Sequence, residues 1–214
     1  FRGTAKYLMG RNRYPIINYT NFLNNDALPS ADAVVCASIE QLNILKDVLK
    51  EYSKTHEFNI HVISDKFSYR YMNKFFKVET QNLLKKISKN IIFHEWESHS
   101  YSSILSSCDF VVIPIDLKNK MASGKPENKL INIWKMGLPV ITSSTNSYKR
   151  VMNDCGLDLY CENKNEWVNK LKMLSDDNDL RKRLAKKAYN YANENYGQDA
   201  VISRWDAMFD SFFK

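Results

Sequence analysis

The sequence predicts an α/β fold: a parallel β-sheet with helices on both faces, followed by long C-terminal helices. Three observations carry the prediction. From Ala33 onward, short β-rich apolar runs alternate with longer segments of helical periodicity, the order that βαβ units and a parallel sheet require. One run, FVVIPI at 110–115, is apolar throughout, as a strand covered on both faces should be. The 214-residue chain is 44% hydrophobic and 26% charged, an ordinary globular composition with enough length to bury a sizeable core.

The elements follow in order. AVVCAS (33–38) is a first strand, and Ile39 to Tyr52 repeats Leu42, Leu45, Val48 and Leu49 at helical spacing. NIHVIS (59–64) is a second strand, ending at Asp65. Tyr69 to Lys89 reads as helical in its second half, with Leu83, Leu84 and Ile87 on one face, so its aromatics should pack on the sheet as part of an amphipathic element. IIFHEW (91–96) is a third strand, Ser98 to Ser107 a short helix, and FVVIPI a fourth strand. The loop with Ser123, Gly124 and Pro126 leads to a helix through NKLINIWKMG, where Gly137 suits the stop position. Pro139–Thr142 and Leu157–Cys161 are further strands. Trp167–Leu174 is helical, and Asp179 to about Glu194 is a long amphipathic helix capped by the Ser175-Asp-Asp-Asn run. Arg204–Phe213 is a last, aromatic helix. Residues 1–30 are expected to be a linker or a remnant of a preceding domain, 31–175 the sheet domain, and 176–214 helices packing back on it or on another domain. An alternative assigns residues 1–70 to a preceding domain, with Ala31-Asp-Ala-Val-Val-Cys-Ala-Ser in its last unit.

The basic excess, 31 against 24 acidic residues for a net charge of +7, favours anionic partners without choosing among them. Arg181, Lys182, Arg183, Lys186 and Lys187 read as a solvated helix face. Cys36, Cys108, Cys155 and Cys161 form no CxxC pair and read as small core residues of a reduced, cytosolic protein. No apolar run reaches bilayer length, and FRGTAKYLMG is too short and polar for a signal peptide; Asn18-Tyr-Thr is accordingly a chance sequon. The chain lacks an initiator Met and is expected to be a fragment. GxSxG, GxxxxGK[ST] and GxGxxG are missing, so hydrolase, P-loop and dinucleotide readings lack their signatures. His94 and His99 are five apart, not the four that place two ligands on one helix face, which argues against zinc. Tyr69, Tyr71, Phe75 and Phe76 interleave with Arg70, Lys74 and Lys77, a pattern that single-stranded nucleic acid or a membrane surface could also use.

The stretch that best concentrates chemistry runs from Lys125 to Asn132. A helix starting after Pro126, with Glu127 and Asn128 in the cap or first turn, would aim free backbone N–H groups at a cleft. Lys125 and Lys129 would add positive charge for a phosphate. An ordinary capped helix with solvated lysines is the plainer alternative.

From Ile91 onward the sequence resembles the C-terminal half of GT-B nucleotide-sugar glycosyltransferases, in particular the retaining family often called glycosyl transferases group 1. The resemblance rests on Asp109-Phe-Val-Val-Ile-Pro, on Asn128-Lys129-Leu130, on Gly137-Leu-Pro-Val-Ile, and on Leu180-Arg-Lys-Arg-Leu followed by Ala188, Tyr189 and Tyr196-Gly. It covers about 120 residues, or about 180 with AVVCAS as first strand. It implies a Rossmann-like donor-binding domain, one of two in the enzyme. That enzyme would transfer a sugar from a nucleoside diphosphate sugar to a glycan or lipid-linked acceptor in surface polysaccharide synthesis.

By that resemblance Lys125 and Lys129 neutralise phosphate, Asn128 starts the helix, Asn132 touches the ribose, and Glu127 lies near the donor. No cofactor and no essential metal are implied. The expected partners are the nucleotide sugar, the acceptor, an N-terminal glycosyltransferase domain and a peripheral membrane contact, with no nucleic acid; the location is cytoplasmic or at the inner face of the membrane. The sequence departs from the family at both of its usual glutamates, eight residues apart, whose positions hold Gly124 and Asn132. The family's Arg and Lys after its first strand are not visible after Ser38, so either Lys66, Arg70, Lys125 or Lys129 substitutes, or donor binding is altered or lost. A non-catalytic interaction domain that kept the fold is the alternative, with the aromatic C-terminus serving a partner.

Overall fold

The computed structural model describes residues 32–35, 39–70 and 76–212. Six strands form one parallel sheet: β1 (Asp32–Val35), β2 (Asn59–Ser64), β5 (Ile91–Glu95), β6 (Phe110–Ile113), β7 (Val140–Ser143) and β8 (Tyr160–Cys161), in the order β5-β2-β1-β6-β7-β8. β1 sits at the centre, with Ala33 opposite Ile60 on one side and Phe110 on the other. The first two strands thus belong to the same sheet as everything from Ile91 onward. Every residue of β6 and β7 is buried, which explains why these runs carry no alternation of apolar and polar residues.

The segment 39–52 folds as two helices, α1 (Ile39–Ile44) and α2 (Lys46–Tyr52). They part at Leu45, whose N–H donates to Leu42 O three residues back, a tighter turn than an α-helix makes. Between β2 and β5 the expected aromatic amphipathic helix is replaced by an antiparallel hairpin, β3 (Phe67–Arg70) with β4 (Phe76–Glu79). Helix α3 is only Thr80–Leu84. The physical reason lies in the residues: Phe67, Tyr69 and Tyr71 alternate at period two, and aromatic residues at that period favour a strand. Buried Thr80 closes the hairpin, its hydroxyl donating to Asp65 O at 2.6 Å and its N–H to Lys66 O at 2.9 Å.

After β5 come α4 (Tyr101–Ser106) and β6, then a single-turn helix α5 (Lys120–Ser123) and α6 (Asn128–Trp134). Gly137 ends the α6 turn with φ of 76°, a conformation in which a side chain would be strained. Helix α7 (Asn146–Asp154) follows β7, and sequence reasoning missed it. Its signals are Thr145, whose hydroxyl accepts from Tyr148 N–H, and Gly156 at φ 65° just past its end.

Helices α8 (Lys164–Asp176), α9 (Asn178–Tyr196) and α10 (Gln198–Phe212) complete the chain. Asp177 caps α9 through Leu180 N–H at 2.7 Å. Ala185, Ala188 and Ala192 are fully buried, so α9 packs closely on the body and touches α6. The basic stretch of α9 is not a uniformly solvated face. Arg181 is buried, pairs with Asp109 at 3.3 Å and donates to Leu174 O and Ser175 O. Lys187 donates to Gly156 O at 2.8 Å. Helix α10 buries nothing: Val201, Trp205, Phe209 and Phe212 stay exposed along one stripe. Cys108, Cys155 and Cys161 are buried, as expected of core residues; Cys36 lies outside the described residues, as do the 1–30 segment and its sequon.

Candidate functional site

Strand order reverses between β1 and β6: the chain builds outward from β1 through β2 to β5 on one side, and from β6 through β7 to β8 on the other. In doubly wound sheets ligands bind beyond the carboxyl ends of the strands at such a switch point. The segment after β1, residues 36–38, lies outside the described residues. The other wall is the stretch from Pro114 to Asn132, which holds all five residues singled out from sequence.

That wall is firmly built. Ile115 N–H donates to Ser143 Oγ at 2.7 Å, tying the end of β6 to the end of β7. The Asn119 side chain caps α5 through the N–H groups of Met121 and Ala122 at 3.1 Å each. A Cβ at Gly124 would stand 3.0 Å from Lys120 O, so a side chain there would need the Lys120 carbonyl, at the start of α5, to give by a few tenths of an ångström. Gly124 therefore fits its own loop, and the glutamate expected at this position from the family would not enter without a shift.

Lys125, Asn128, Lys129 and Asn132 are all exposed, while Leu130, Ile131, Ile133 and Trp134 on the inner side of α6 are buried. Asn128 and Asn132, four residues apart, share one face of the helix. The loop before them is pinned from behind, since Lys125 O accepts from Ser147 Oγ at 2.8 Å.

Glu127 does something different from its neighbours. It stands at the N-cap of α6 but makes no side-chain cap bond. Its Oε1 accepts from Arg150 Nη2 at 2.7 Å and from the Tyr196 hydroxyl at 3.0 Å. Burial would raise this carboxyl, but bonds from its own backbone N–H, Arg150 and Tyr196 outweigh that and hold it below its ordinary range. Burial and the bond to Glu127 push Tyr196 up to about 12, and burial with the Glu127 charge takes Tyr148 to about 12. Lys135 Nζ adds a bond to Tyr196 O at 2.7 Å. The start of α6, the middle of α7 and the end of α9 are thus joined by one carboxylate. Arg150 and Ser147, both on the unforeseen α7, are the residues that sequence reasoning missed.

The electrostatic result is a wall with two lysines and two amides exposed to solvent and its nearest carboxylate neutralised by an arginine. Such a surface can accept an anion of phosphate type and hydrogen-bond hydroxyls. His99 Nε2 lies 2.9 Å from Glu97 Oε2, both exposed, in the loop after β5. His94 hydrogen-bonds His61 at 2.9 Å across β5 and β2, and burial and then the neighbouring histidine lower its pKa. Among the described residues no group of three or more His, Cys, Asp or Glu is arranged to hold a metal ion. A groove of about 550 Å³ lined by Ser53, His56, Asn59 and Lys89 lies at the amino ends of β2 and β5, away from this wall.

No family model matches the sequence, nor does any curated protein sequence. Solved structures do match in fold. WaaG, a glycosyltransferase involved in lipopolysaccharide biosynthesis, aligns at 16% identity and a TM-score of 0.59 over 87% of this chain and 49% of its own. A glycosyltransferase from Rickettsia africae ESF-5 aligns at 12% identity and 0.63, over 94% and 56%. The lipopolysaccharide outer core galactosyltransferase WaaB aligns at 16% and 0.51, over 84% and 51%. The chain spans about half the length of each of these proteins, and its architecture is that of one GT-B glycosyltransferase-like domain.

Proposed function

We propose that the chain is the donor-binding, C-terminal half of a glycosyltransferase that moves a sugar from a nucleoside diphosphate sugar to a glycan or lipid-linked acceptor in surface polysaccharide synthesis. The observation that carries the reading is the exposed Lys125–Asn132 wall at the carboxyl end of β6, beside the switch point of the sheet. Lys125 and Lys129 face the charge of a diphosphate, and Asn132 offers an amide to a ribose hydroxyl. Stabilising the leaving diphosphate by fixed charge needs no metal on this reading. Glu127 is assigned to the architecture of the wall and not to the donor, because Arg150 and Tyr196 already engage its carboxylate.

The second half, an N-terminal domain, would supply the acceptor site and cover the apolar stripe of α10. The competing reading is an interaction domain without catalysis. Gly124 and the commitment of Glu127 favour it, since no carboxylate stands in for either family glutamate. Calorimetric titration with UDP, GDP and related nucleotides decides between them. The proposal expects one nucleotide to bind in the micromolar to millimolar range, with Lys125→Ala and Lys129→Ala each weakening it on the order of tenfold, about what losing one charged contact to phosphate costs. Silence with every nucleotide, in this chain and in the longer protein, would leave the interaction domain standing.

A further inference from the structure

We infer that the β3–β4 hairpin is a docking surface for an anionic lipid bilayer. It leaves the carboxyl end of β2, the same end of the sheet as the Lys125–Asn132 wall, two strands away from β6, or about 10 Å along the sheet. Its two strands contribute Arg70 and Lys77 and the aromatics Phe67, Tyr69 and Phe76, with Glu79 as their one acid at the far end of β4; Lys66 stands at their root, next to Asp65. Cations interleaved with aromatics are the composition of a membrane-interface element.

The geometry of the described side chains points the same way. Neither Phe67 nor Val78 belongs to the hydrophobic core cluster. Phe67 is half-buried because lysines cover it: Lys77 Nζ stands 3.6 Å from the ring centroid and Lys66 Nζ 5.7 Å. A stem laid over an aromatic ring with its ammonium exposed is how lysine bridges an apolar surface and a charged one. Single-stranded nucleic acid, the other anionic polymer such a composition could meet, stacks its bases on open ring faces. Here Lys77 occupies a face of Phe67. A hairpin of only two strands is also marginal on its own, and a surface that accepts Phe67 would cover what the core does not.

The test is co-sedimentation of the 214-residue chain with vesicles of phosphatidylcholine alone and of phosphatidylcholine with phosphatidylglycerol in equal parts. Binding is expected to the mixed vesicles only and to fall with salt. Lys66→Ala/Lys77→Ala should weaken partitioning about 30-fold, on the order of fivefold for each cation removed from an anionic surface, and Phe67→Ser should weaken it further. Circular dichroism melts confirm that each variant is folded. Because α10 also exposes apolar side chains, Trp205→Ser/Phe209→Ser is run in parallel and should leave binding unchanged. The inference is overturned by any of four results: no binding to mixed vesicles, binding untouched by the lysine pair, binding abolished by the α10 variant, or tight binding to a labelled single-stranded oligonucleotide with none to vesicles. None of these readouts involves a nucleotide, so the outcome is independent of the donor-site titration.

Discussion

Replacing Glu127 by alanine removes a carboxylate that ties three separate helices together. Two charge-assisted bonds are lost, one from Arg150 and one from Tyr196. Their worth differs. The Arg150 side chain is 57% exposed, so its ion pair is largely screened and contributes about 0.5 kcal/mol, in the range of surface pairs. The Tyr196 bond is part-buried and ends on a charged acceptor, a class worth about 1.5–3 kcal/mol. Together they predict a loss of about 2 kcal/mol, which for a chain of this size lowers the melting temperature by about 4–8 °C. Glu127→Gln keeps an acceptor oxygen for both donors and should cost roughly half as much.

The pH dependence has a definite sign. The Glu127 pKa is depressed in the folded state, so its contribution is present above the ordinary carboxyl value of about 4.5 and is lost as pH falls through the lower, folded value. The gap in melting temperature between wild type and Glu127→Gln should therefore close on acidification below pH 4.5 and stay constant from there to neutrality. Differential scanning calorimetry across that range measures it. A gap that persists unchanged in acid, or a Glu127→Ala variant that melts within a degree of wild type, would show that this carboxylate does not hold the wall together.

Three further outcomes follow from the packing. Asp109→Ala should destabilise the chain by about 3 kcal/mol, near the lower end for breaking a buried pair, because Arg181 keeps its two carbonyl acceptors; urea denaturation reads this. Ala188→Leu, at a fully buried position where α9 lies on the body, should cost about 1–3 kcal/mol by overpacking, whereas leucine at exposed Ser203 should cost nothing measurable. Cys155 and Cys161 should resist a thiol reagent in the native state and react only on unfolding. Both are buried, and burial pushes their thiols up to about 11 and about 12; reaction at the rate of a free thiol would refute the burial.

The parallel sheet was legible because its strands are apolar runs separated by helical periodicities, and that signal survives in a single sequence. NIHVIS and FVVIPI needed nothing else. The hairpin was not legible. Aromatics at 69, 71, 75 and 76 fit a helical face as well as two short strands, and the sequence from 71 to 75 has no glycine or proline to decide between them. Helix α7 was missed for a related reason: NSYKRVMND is polar overall, with only Tyr148, Val151 and Met152 turned inward. That omission mattered at the site. The wall from Lys125 to Asn132 could be located by fold and resemblance, and the structure keeps its lysines and asparagines exposed. The carboxylate of Glu127 was assigned to the donor because its partners, Arg150 on α7 and Tyr196 some 69 residues away, are brought beside it only by tertiary packing. Arg181 and Lys187 teach the same lesson, since a basic helix read in isolation looks uniformly solvated.

Gly197, between α9 and α10, is tightly hemmed in: a Cβ on it would collide with the backbone carbonyl oxygen of Asn193. The backbone can pass this point only without a side chain, and Tyr196 just before it is fastened to α6 at both its carbonyl and its hydroxyl. Helix α10 is therefore a boom mounted on a fixed pivot. Its 15 residues give it a reach of about 22 Å. At that radius a swing of about 10° at the pivot carries the tip near Phe212 through about 4 Å, while Glu127 and the lysine wall at the hub hardly move. Whatever grips the aromatic tip holds it at that mechanical advantage, and any torque it exerts is delivered at Tyr196, one hydrogen bond from the start of α6.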